Sequence, residues 1–248
     1  MTESGYAPLG LRERSLAAVA QRGARPVIGD LARWATGVAT GLPWIPRGRH
    51  GRFRFRGRDH SYLYHPYKQP WMTERAVEVP VVQRIVAEHP GARILEVGHV
   101  LGHYGPVGHV VVDKYEQAPG VRNLDVFDLA PLGEFDLIVA ISTLEHVGWD
   151  ESPRVPGRAG QALTALAARL APGGRLVVTV PVGYNPSFDA DLSRGAVALD
   201  TAGAMRQQRA GPHWREVPVA DVWTVPYDFL LYHARAVVIG EIHRPAAG

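Results

Sequence analysis

Short apolar runs alternate with helix-like segments through the second half of the chain. Near-continuous runs of Val, Ile and Leu are typical of parallel strands that helices cover on both faces. An Ala- and Leu-rich segment at 160–170 has the composition of a crossover helix and ends at a Pro-Gly-Gly sequence. The pattern predicts an α/β fold, namely a Rossmann-like, mostly parallel sheet with helices on both faces. The predicted strands are residues 93–98, 110–113, 135–142, 175–181 and 236–240.

The first ninety residues carry weaker patterns. Residues 11–21 favour a short helix, whereas glycines and prolines interrupt 26–46 and predict irregular structure there. The alternation of Arg and Phe at 52–56 has the period of two expected of a strand with one apolar face. A helix is predicted over 73–89, and Pro80 within it is expected to kink or divide it.

Composition narrows the class of protein. The 248 residues include no cysteine, so disulfides, thiol nucleophiles and cysteine–zinc sites are excluded. No apolar run reaches the 18 or more residues of a membrane span, and no secretory signal is evident near the start. We therefore expect a globular protein with no membrane partner, and a cytoplasmic location.

Positive charge is concentrated in the first sixty residues. They hold eleven arginines against four acidic residues, a net +7, although the whole chain carries only +3. One interpretation is a phosphate-bearing partner such as a nucleic acid. The other is a solvated, arginine-rich edge strand whose charge prevents pairing with other chains. We favour the second, because one basic run without a nucleic-acid motif is weak support for the first.

The first candidate ligand-binding residues lie at the end of the first core strand. Glu96 lies two residues before Gly98, at the carboxyl edge where open parallel sheets bind ligands. A dinucleotide fingerprint would require glycine at positions 100 and 103, which are Val100 and His103. No phosphate-binding Gly-Lys-Ser/Thr sequence is present either.

The next strand ends in Asp113, whose carboxylate could accept both hydroxyls of a ribose. Glycine at 98 would let a ligand approach the backbone, and Glu96 could engage an ammonium group. Asp125 could accept a hydrogen bond from an adenine amine while Val126 lines the ring. Ribose, ammonium and adenine together describe S-adenosylmethionine.

Four segments resemble the class I S-adenosylmethionine-dependent methyltransferases, over roughly residues 93–182. The sequence departs from the family at Val100, where a glycine is usual, and in short connections after the first two core strands. It is similar to a poorly characterised subgroup of that family. The segments are Ile-Leu-Glu-Val-Gly at 94–98, Val-Val-Asp at 111–113, the run from 135 to 147 that contains Leu-Glu-His-Val, and the Ala-Pro-Gly-Gly run within 170–181.

The resemblance implies a set of site residues. His146 is the candidate general base and Glu145 an orienting or substrate-binding carboxylate; the alternative for His146 is that it only caps or packs its loop. The expected cofactor-binding residues are Glu96, Gly98, His99, Gly102, Asp113, Lys114, Asp125, Val126, Ser142 and Leu144. The expected substrate-binding residues are Tyr64, Arg75, Tyr184 and Asn185.

Three histidines near the glycine loop raise the question of a metal. His99 and His103 are four residues apart, and His109 follows, which would suit a zinc site if the segment were helical. Four glycines and a proline between 98 and 108 argue against a regular helix. We therefore predict no metal, and interpret these residues as loop histidines beside the cofactor.

The sequence thus predicts a methyltransferase that uses S-adenosylmethionine on a small-molecule acceptor, such as a natural product or sugar, through an O, N or C nucleophile. Residues 1–70 would be a basic, aromatic extension or lid, and 71–248 the catalytic domain. One alternative is a non-methylating or scaffold protein with this fold. Another is a nucleic-acid methyltransferase that uses the basic N-terminus, although we do not expect a nucleic-acid partner. Monomer and homodimer both stay open.

Overall fold

A computed structural model describes residues 10–248. An eight-stranded sheet forms the centre, and a separate two-stranded hairpin precedes it. The helices are α1 (Leu11–Arg22), α2 (Ala24–Gly41), α3 (Arg75–Ala87), α4 (Arg158–Ala167) and α5 (Pro186–Ser193). The strands are β1 (Arg49–Phe55), β2 (Arg58–Leu63), β3 (Ile94–Val97), β4 (Val110–Val112), β5 (Val121–Arg122), β6 (Phe135–Ile141), β7 (Leu170–Pro181), β8 (Thr201–Arg209), β9 (His213–Val217) and β10 (Ala236–His243).

The sheet order is β5-β4-β3-β6-β7-β10-β8-β9. The first five of these strands are parallel, whereas β10 runs antiparallel to both of its neighbours and β9 antiparallel to β8. The chain moves outward from β3 to β5 and then returns to the other side of β3 as β6. This is the doubly wound order, with its topological switch point between β3 and β6. The predicted Rossmann-like fold class is confirmed.

Two apolar cores lie on opposite faces of the sheet. Helix α3 and the β1–β2 hairpin pack on one face, where Leu137 and Val139 of β6 meet Val82 of α3. Helices α4 and α5 cover the other face, where Ile138 meets Leu163. The alternation of side chains along β6 therefore supplies both cores, which explains why the strand is apolar throughout.

The N-terminal region corrects two predictions. Residues 26–46 were expected to be irregular, but helix α2 runs without a break through Gly29 and Gly37. A Cβ at Gly37 or Gly41 would lie only 2.6 or 2.0 Å from Met72 or Trp71, so the small residues let these large side chains pack on the helix. Pro80 does not divide α3, which is continuous across it. Tertiary packing outweighs local propensity at both places.

The first crossovers are short, as predicted. A single 3-10 turn, Leu101–His103, lies between β3 and β4, and no helix separates β4 from β5. Prediction also missed α5, β8 and β9, whose sequences are too polar to show an apolar run. The consequence is a carboxyl edge at β3 and β4 that loops, rather than helices, enclose.

Candidate functional site

Glu96 organises the loop that follows β3. Its side chain is fully buried, and Oε1 accepts hydrogen bonds from the backbone N–H groups of Val100 and Leu101 at 2.8 and 2.7 Å. The His109 ring Nε2 lies 2.8 Å from the other oxygen. Buried carboxylates require such partners, and the three contacts engage both oxygens within the protein. Glu96 therefore shapes the loop from inside.

Asp113 lies directly after β4, at the same edge. Its Oδ1 accepts from the N–H groups of Tyr115 and Glu116 at 2.8 and 2.7 Å, and Oδ2 accepts from the His99 N–H at 3.2 Å. A carboxylate offers about four acceptor positions. The three bonds hold the group in place and leave Oδ2 with capacity for a further donor.

Asp125 lies beyond β5, on the outer side of Asp113. Its Oδ1 accepts from the Phe127 N–H at 3.1 Å, and Oδ2 lies 3.0 Å from the ammonium of Lys114. Burial alone would raise the pKa of Asp125, but the Phe127 hydrogen bond and Lys114 outweigh it and lower the pKa. Val126 is buried next to it in the core under this edge. The aspartate is thus an ionised acceptor beside an apolar surface.

The switch point brings the ends of β3 and β6 together. Gly98 has a φ of +85°, which favours glycine, and a Cβ added there would lie 2.1 Å from the Thr143 hydroxyl. Ser142, the first residue after β6, also has a positive φ, +41°, which is uncommon for a side-chain-bearing residue. Strained backbone of this kind clusters at functional sites.

A buried ion pair supports the end of β6 from helix α3. Glu78 is fully buried, and its Oε1 lies 2.9 Å from the guanidinium of Arg75. Its other oxygen accepts from the hydroxyls of Ser142 at 2.7 Å and Thr179 at 2.5 Å. Arg75 also donates to the Ile141 carbonyl at 3.2 Å. These contacts fix Arg75 at the carboxyl end of β6.

Glu145 follows the same strand and is nearly inaccessible, with 1% of the residue exposed. One carboxyl oxygen is buried without a hydrogen-bond partner among residues 10–248, and the other lies 3.5 Å from Nε2 of His146. Burial raises the pKa of Glu145 to about 8, although His146 and Arg75 act in the opposite direction. Burial thus favours the neutral acid form of Glu145 over its carboxylate.

His146 and Asp150 form a hydrogen-bonded pair. Nδ1 of His146 lies 2.6 Å from an oxygen of Asp150, which also accepts the phenol of Tyr184 at 2.8 Å. Burial lowers the pKa of His146, but Glu145 and Asp150 outweigh that effect and the net pKa is raised. Asp150 was not predicted, although it lies four residues after His146 inside the segment 143–151, which already resembled the methyltransferases.

An aromatic wall borders His146. The Tyr184 ring lies 4.6 Å from the imidazole and 5.1 Å from the Tyr227 ring, and its phenol is 3.0 Å from that of Tyr232. The guanidinium of Arg14, from α1, lies 5.4 Å from the centre of the Tyr232 ring. Helix α1 therefore reaches the outside of this wall.

The remaining predicted residues serve several contacts. Asn185 caps α5 and donates to the Glu145 carbonyl at 2.9 Å, so it positions that residue's backbone. Leu144 is buried in the core shared with α4, and Tyr64 is buried against Trp71 with ring centres 5.4 Å apart. Gly102 lies under the His99 ring. Asn185, Leu144 and Tyr64 thus each contact other groups of the protein.

The loop histidines separate into two groups. His109 contacts Glu96, whereas His99 and His103 converge on Glu116 with ligand atoms within 4.8 Å of one another. No sequence pattern had linked Glu116 to the histidines, because it lies beyond β4.

No family model and no curated protein matches the chain. Solved structures with a similar arrangement include an N-methyltransferase from Bradyrhizobium japonicum in complex with S-adenosyl-L-homocysteine, at 14% identity, 66% of this chain, 84% of that chain and a TM-score of 0.39. The sugar N-methyltransferase from Streptoalloteichus has 17% identity over 68% of this chain and 87% of that one, with a TM-score of 0.35.

The magnesium protoporphyrin IX methyltransferase from Synechocystis, solved with bound S-adenosylmethionine, matches 64% of this chain and 76% of its own, at 15% identity and a TM-score of 0.35. At these values the similarity concerns fold alone. The doubly wound architecture of this chain follows from its own strand order, without reference to these proteins. In fold, the chain is similar to S-adenosylmethionine-dependent methyltransferases.

Proposed function

We propose that this protein is an S-adenosylmethionine-dependent methyltransferase that acts on a small-molecule acceptor. One observation carries the proposal. The carboxylate of Asp113 and the His146–Asp150 pair lie at the carboxyl edge of one parallel sheet, on opposite sides of its switch point. Ligands of doubly wound sheets bind in that crevice. The edge thus offers a nucleoside acceptor on one side and a proton acceptor on the other.

The residues at this edge fit the cofactor. Asp113 would hold the ribose through the remaining capacity of Oδ2, and Asp125 with Val126 would hold the adenine. The atoms nearest the position above Gly98 belong to the Thr143 side chain, so a rotation of that side chain would move its hydroxyl, 2.1 Å away, out of that position. When bound, S-adenosylmethionine supplies an electrophilic methyl group on its sulfonium. Glu96 acts indirectly, by holding the loop.

His146 is proposed as the general base. Because Nδ1 faces the Asp150 carboxylate at 2.6 Å, the proton of the neutral ring resides on Nδ1 and the lone pair on Nε2. Nε2 would take the proton from an acceptor hydroxyl or amine as the nucleophile forms its new bond. Asp150 stabilises the imidazolium that results, and its hydrogen bond from Tyr184 fixes its orientation. Most of the rate enhancement would come from alignment of the two reactants.

The contacts of the N-terminal arginines favour a small-molecule acceptor over a nucleic acid. Arg22 and Arg33 contact Asp30, and Arg56 contacts Glu241. Phe53 and Phe55 are buried while Arg52 and Arg54 point outward, as the period of two predicted. Internal ion pairs reduce the positive charge available for a phosphate backbone. We propose that α1 and α2 cover the aromatic wall, as the lid interpretation of residues 1–70 requires.

The first experiment is a calorimetric titration with S-adenosyl-L-homocysteine. We expect wild type to bind one equivalent and Asp113→Ala to lose on the order of 100-fold in affinity, because the ribose acceptor is gone. The matched control is Asp136→Ala, which removes a carboxylate that caps Arg93 at the opposite edge of the sheet. Equal affinity in wild type and Asp113→Ala would contradict the assignment.

The scaffold alternative is favoured by one contact, that of Thr143 above Gly98. It predicts no binding of the ligand by folded wild type at millimolar concentration. A Thr143→Gly variant that gained binding would then show that this side chain alone closes the site.

A further inference from the structure

Three side chains from two separate loops meet beside Asp113. His99 and His103 come from the loop after β3, and Glu116 comes from the loop after β4. Oε1 of Glu116 lies 2.8 Å from Nδ1 of His99 and 3.1 Å from Nε2 of His103. One carboxylate oxygen therefore faces a nitrogen from each of two imidazoles.

These distances are close to those between neighbouring ligands of a small metal ion. Zn²⁺ binds histidine nitrogen and carboxylate oxygen at about 2.0–2.2 Å, so the edge of its coordination tetrahedron is about 3.3–3.5 Å long. Each histidine nitrogen needs to move only a few tenths of an ångström from the Glu116 oxygen to reach that spacing, and the two nitrogens lie within 4.8 Å of each other. Two histidines and one carboxylate, with a fourth position left for water, form a ligand set that zinc uses in proteins.

The surroundings orient both imidazoles. The Tyr67 ring stacks on His103 with centres 4.2 Å apart, which fixes the plane of that ring. Gly102 makes room for His99, because a Cβ there would lie 2.1 Å from that imidazole. The glycine thus permits the convergence.

We propose that His99, His103 and Glu116 bind one Zn²⁺ ion, which links the β3 and β4 loops around Asp113. The position has a physical reason. The backbone N–H groups of His99 and Glu116 both donate to the Asp113 carboxylate, so an ion bound by their side chains would tie together the two loops that hold it. The β3–β4 connection has only one 3-10 turn to stiffen it. Zinc would supply the rigidity that a crossover helix supplies elsewhere.

The test is a calorimetric titration of chelator-treated, tag-free protein with zinc chloride, in the absence of any nucleoside. We expect one Zn²⁺ per chain and a Tm that rises by about 5–10 °C at a hundredfold excess over Kd. His103→Ala should weaken binding by more than the 10- to 100-fold that loss of an outer partner costs. His213→Ala, which removes an exposed histidine on β9, is the matched control and should bind as wild type does.

Glu116→Gln keeps the size of the side chain and decides the question if His103→Ala does not fold. It should lose the visible absorption that Co²⁺ shows in a tetrahedral site, while wild type retains it. Absence of zinc uptake by folded wild type would overturn the proposal. Equal uptake by wild type, His103→Ala and Glu116→Gln would overturn it as well, since the metal would then lie elsewhere. Neither result bears on the binding of S-adenosyl-L-homocysteine, which is measured separately.

Discussion

The two halves of the carboxyl edge treat their carboxyl groups in opposite ways. Over β3 and β4, Glu96 and Asp113 each accept at least two hydrogen bonds from backbone N–H groups. Over β6 and β7, burial raises the pKa of Glu145 to about 8 and that of Asp189 to about 6. The carboxyl groups of the first half have their hydrogen-bond partners, whereas Glu145 and Asp189 in the second half each have one oxygen that lacks a partner among the described residues.

This difference bears on which half would hold the ligand and which half would transfer a proton. Carboxylates that backbone donors hold in place form a rigid receptor at little cost, because their charge is compensated locally. Unpaired buried carboxyls are costly, and strongly perturbed groups in a crevice are candidates for proton transfer. The comparison agrees with our proposal of ligand holding over β3 and β4 and proton transfer over β6 and β7.

The largest effect should separate the two halves by function. His146→Ala removes the proposed base, so we expect turnover of an accepted substrate to fall by about 10²–10⁴-fold. Affinity for S-adenosyl-L-homocysteine should change little, because the residue lies on the other side of the switch point. Initial rates and a binding titration on the same sample check both statements. Full turnover across pH 6–9 would remove His146 from the mechanism.

The second test uses the dependence of stability on pH. An isolated glutamate has a pKa of 4.5, whereas burial holds that of Glu145 at about 8 in the folded state. As pH rises from about 4.5 to 8, the unfolded chain releases this proton and the folded chain keeps it, so the free energy of unfolding falls.

The Glu145→Gln side chain does not titrate. Between about pH 4.5 and 8, the free energy of unfolding of this variant should therefore rise relative to that of wild type, by on the order of 4 kcal/mol. Urea unfolding at pH 5 and at pH 9 measures the gain. A difference between variant and wild type that is the same at both pH values would show that Glu145 does not titrate as described.

The third test concerns the half of the edge over β3 and β4. Glu96→Ala leaves the N–H groups of Val100 and Leu101 without their acceptor, which should destabilise the fold by about 2–3 kcal/mol. The control is Glu134→Ala, whose exposed ion pair with Arg244 should contribute less than about 1 kcal/mol. Urea denaturation compares the two, and a similar loss in both would mean that the loop does not depend on Glu96.

The smallest effect is expected at the outer end of the nucleoside site. Lys114 lies 3.0 Å from Asp125, but its side chain is 42% exposed, so solvent screens the pair. Lys114→Ala should lower the affinity for S-adenosyl-L-homocysteine by no more than about fivefold. A loss as large as that of Asp113→Ala would make the lysine a direct ligand and would extend the receptor half beyond Asp113.

Sequence patterns placed the main groups at the correct edge but did not reveal their partners. Asp113 and His146 follow strands whose apolar runs were evident, so their position at the carboxyl edge could be predicted. The role of Glu78 was not predicted, because it lies inside a helix whose sequence resembles that of any buried helix. Its partner Thr179 is also 101 residues away. Asp150 was within reach, since it lies four residues after His146.

The sequence by itself determined the doubly wound sheet, because burial of each strand on both faces requires a continuous apolar run that is visible locally. It also determined that the crossovers after β3 and β4 would be short. Only the tertiary structure decided that residues 26–41 lie in an α-helix, since Trp71 and Met72 pack on its glycines. The tertiary structure also decided which carboxyls are paired, because hydrogen bonding and desolvation depend on neighbours that are distant in the chain.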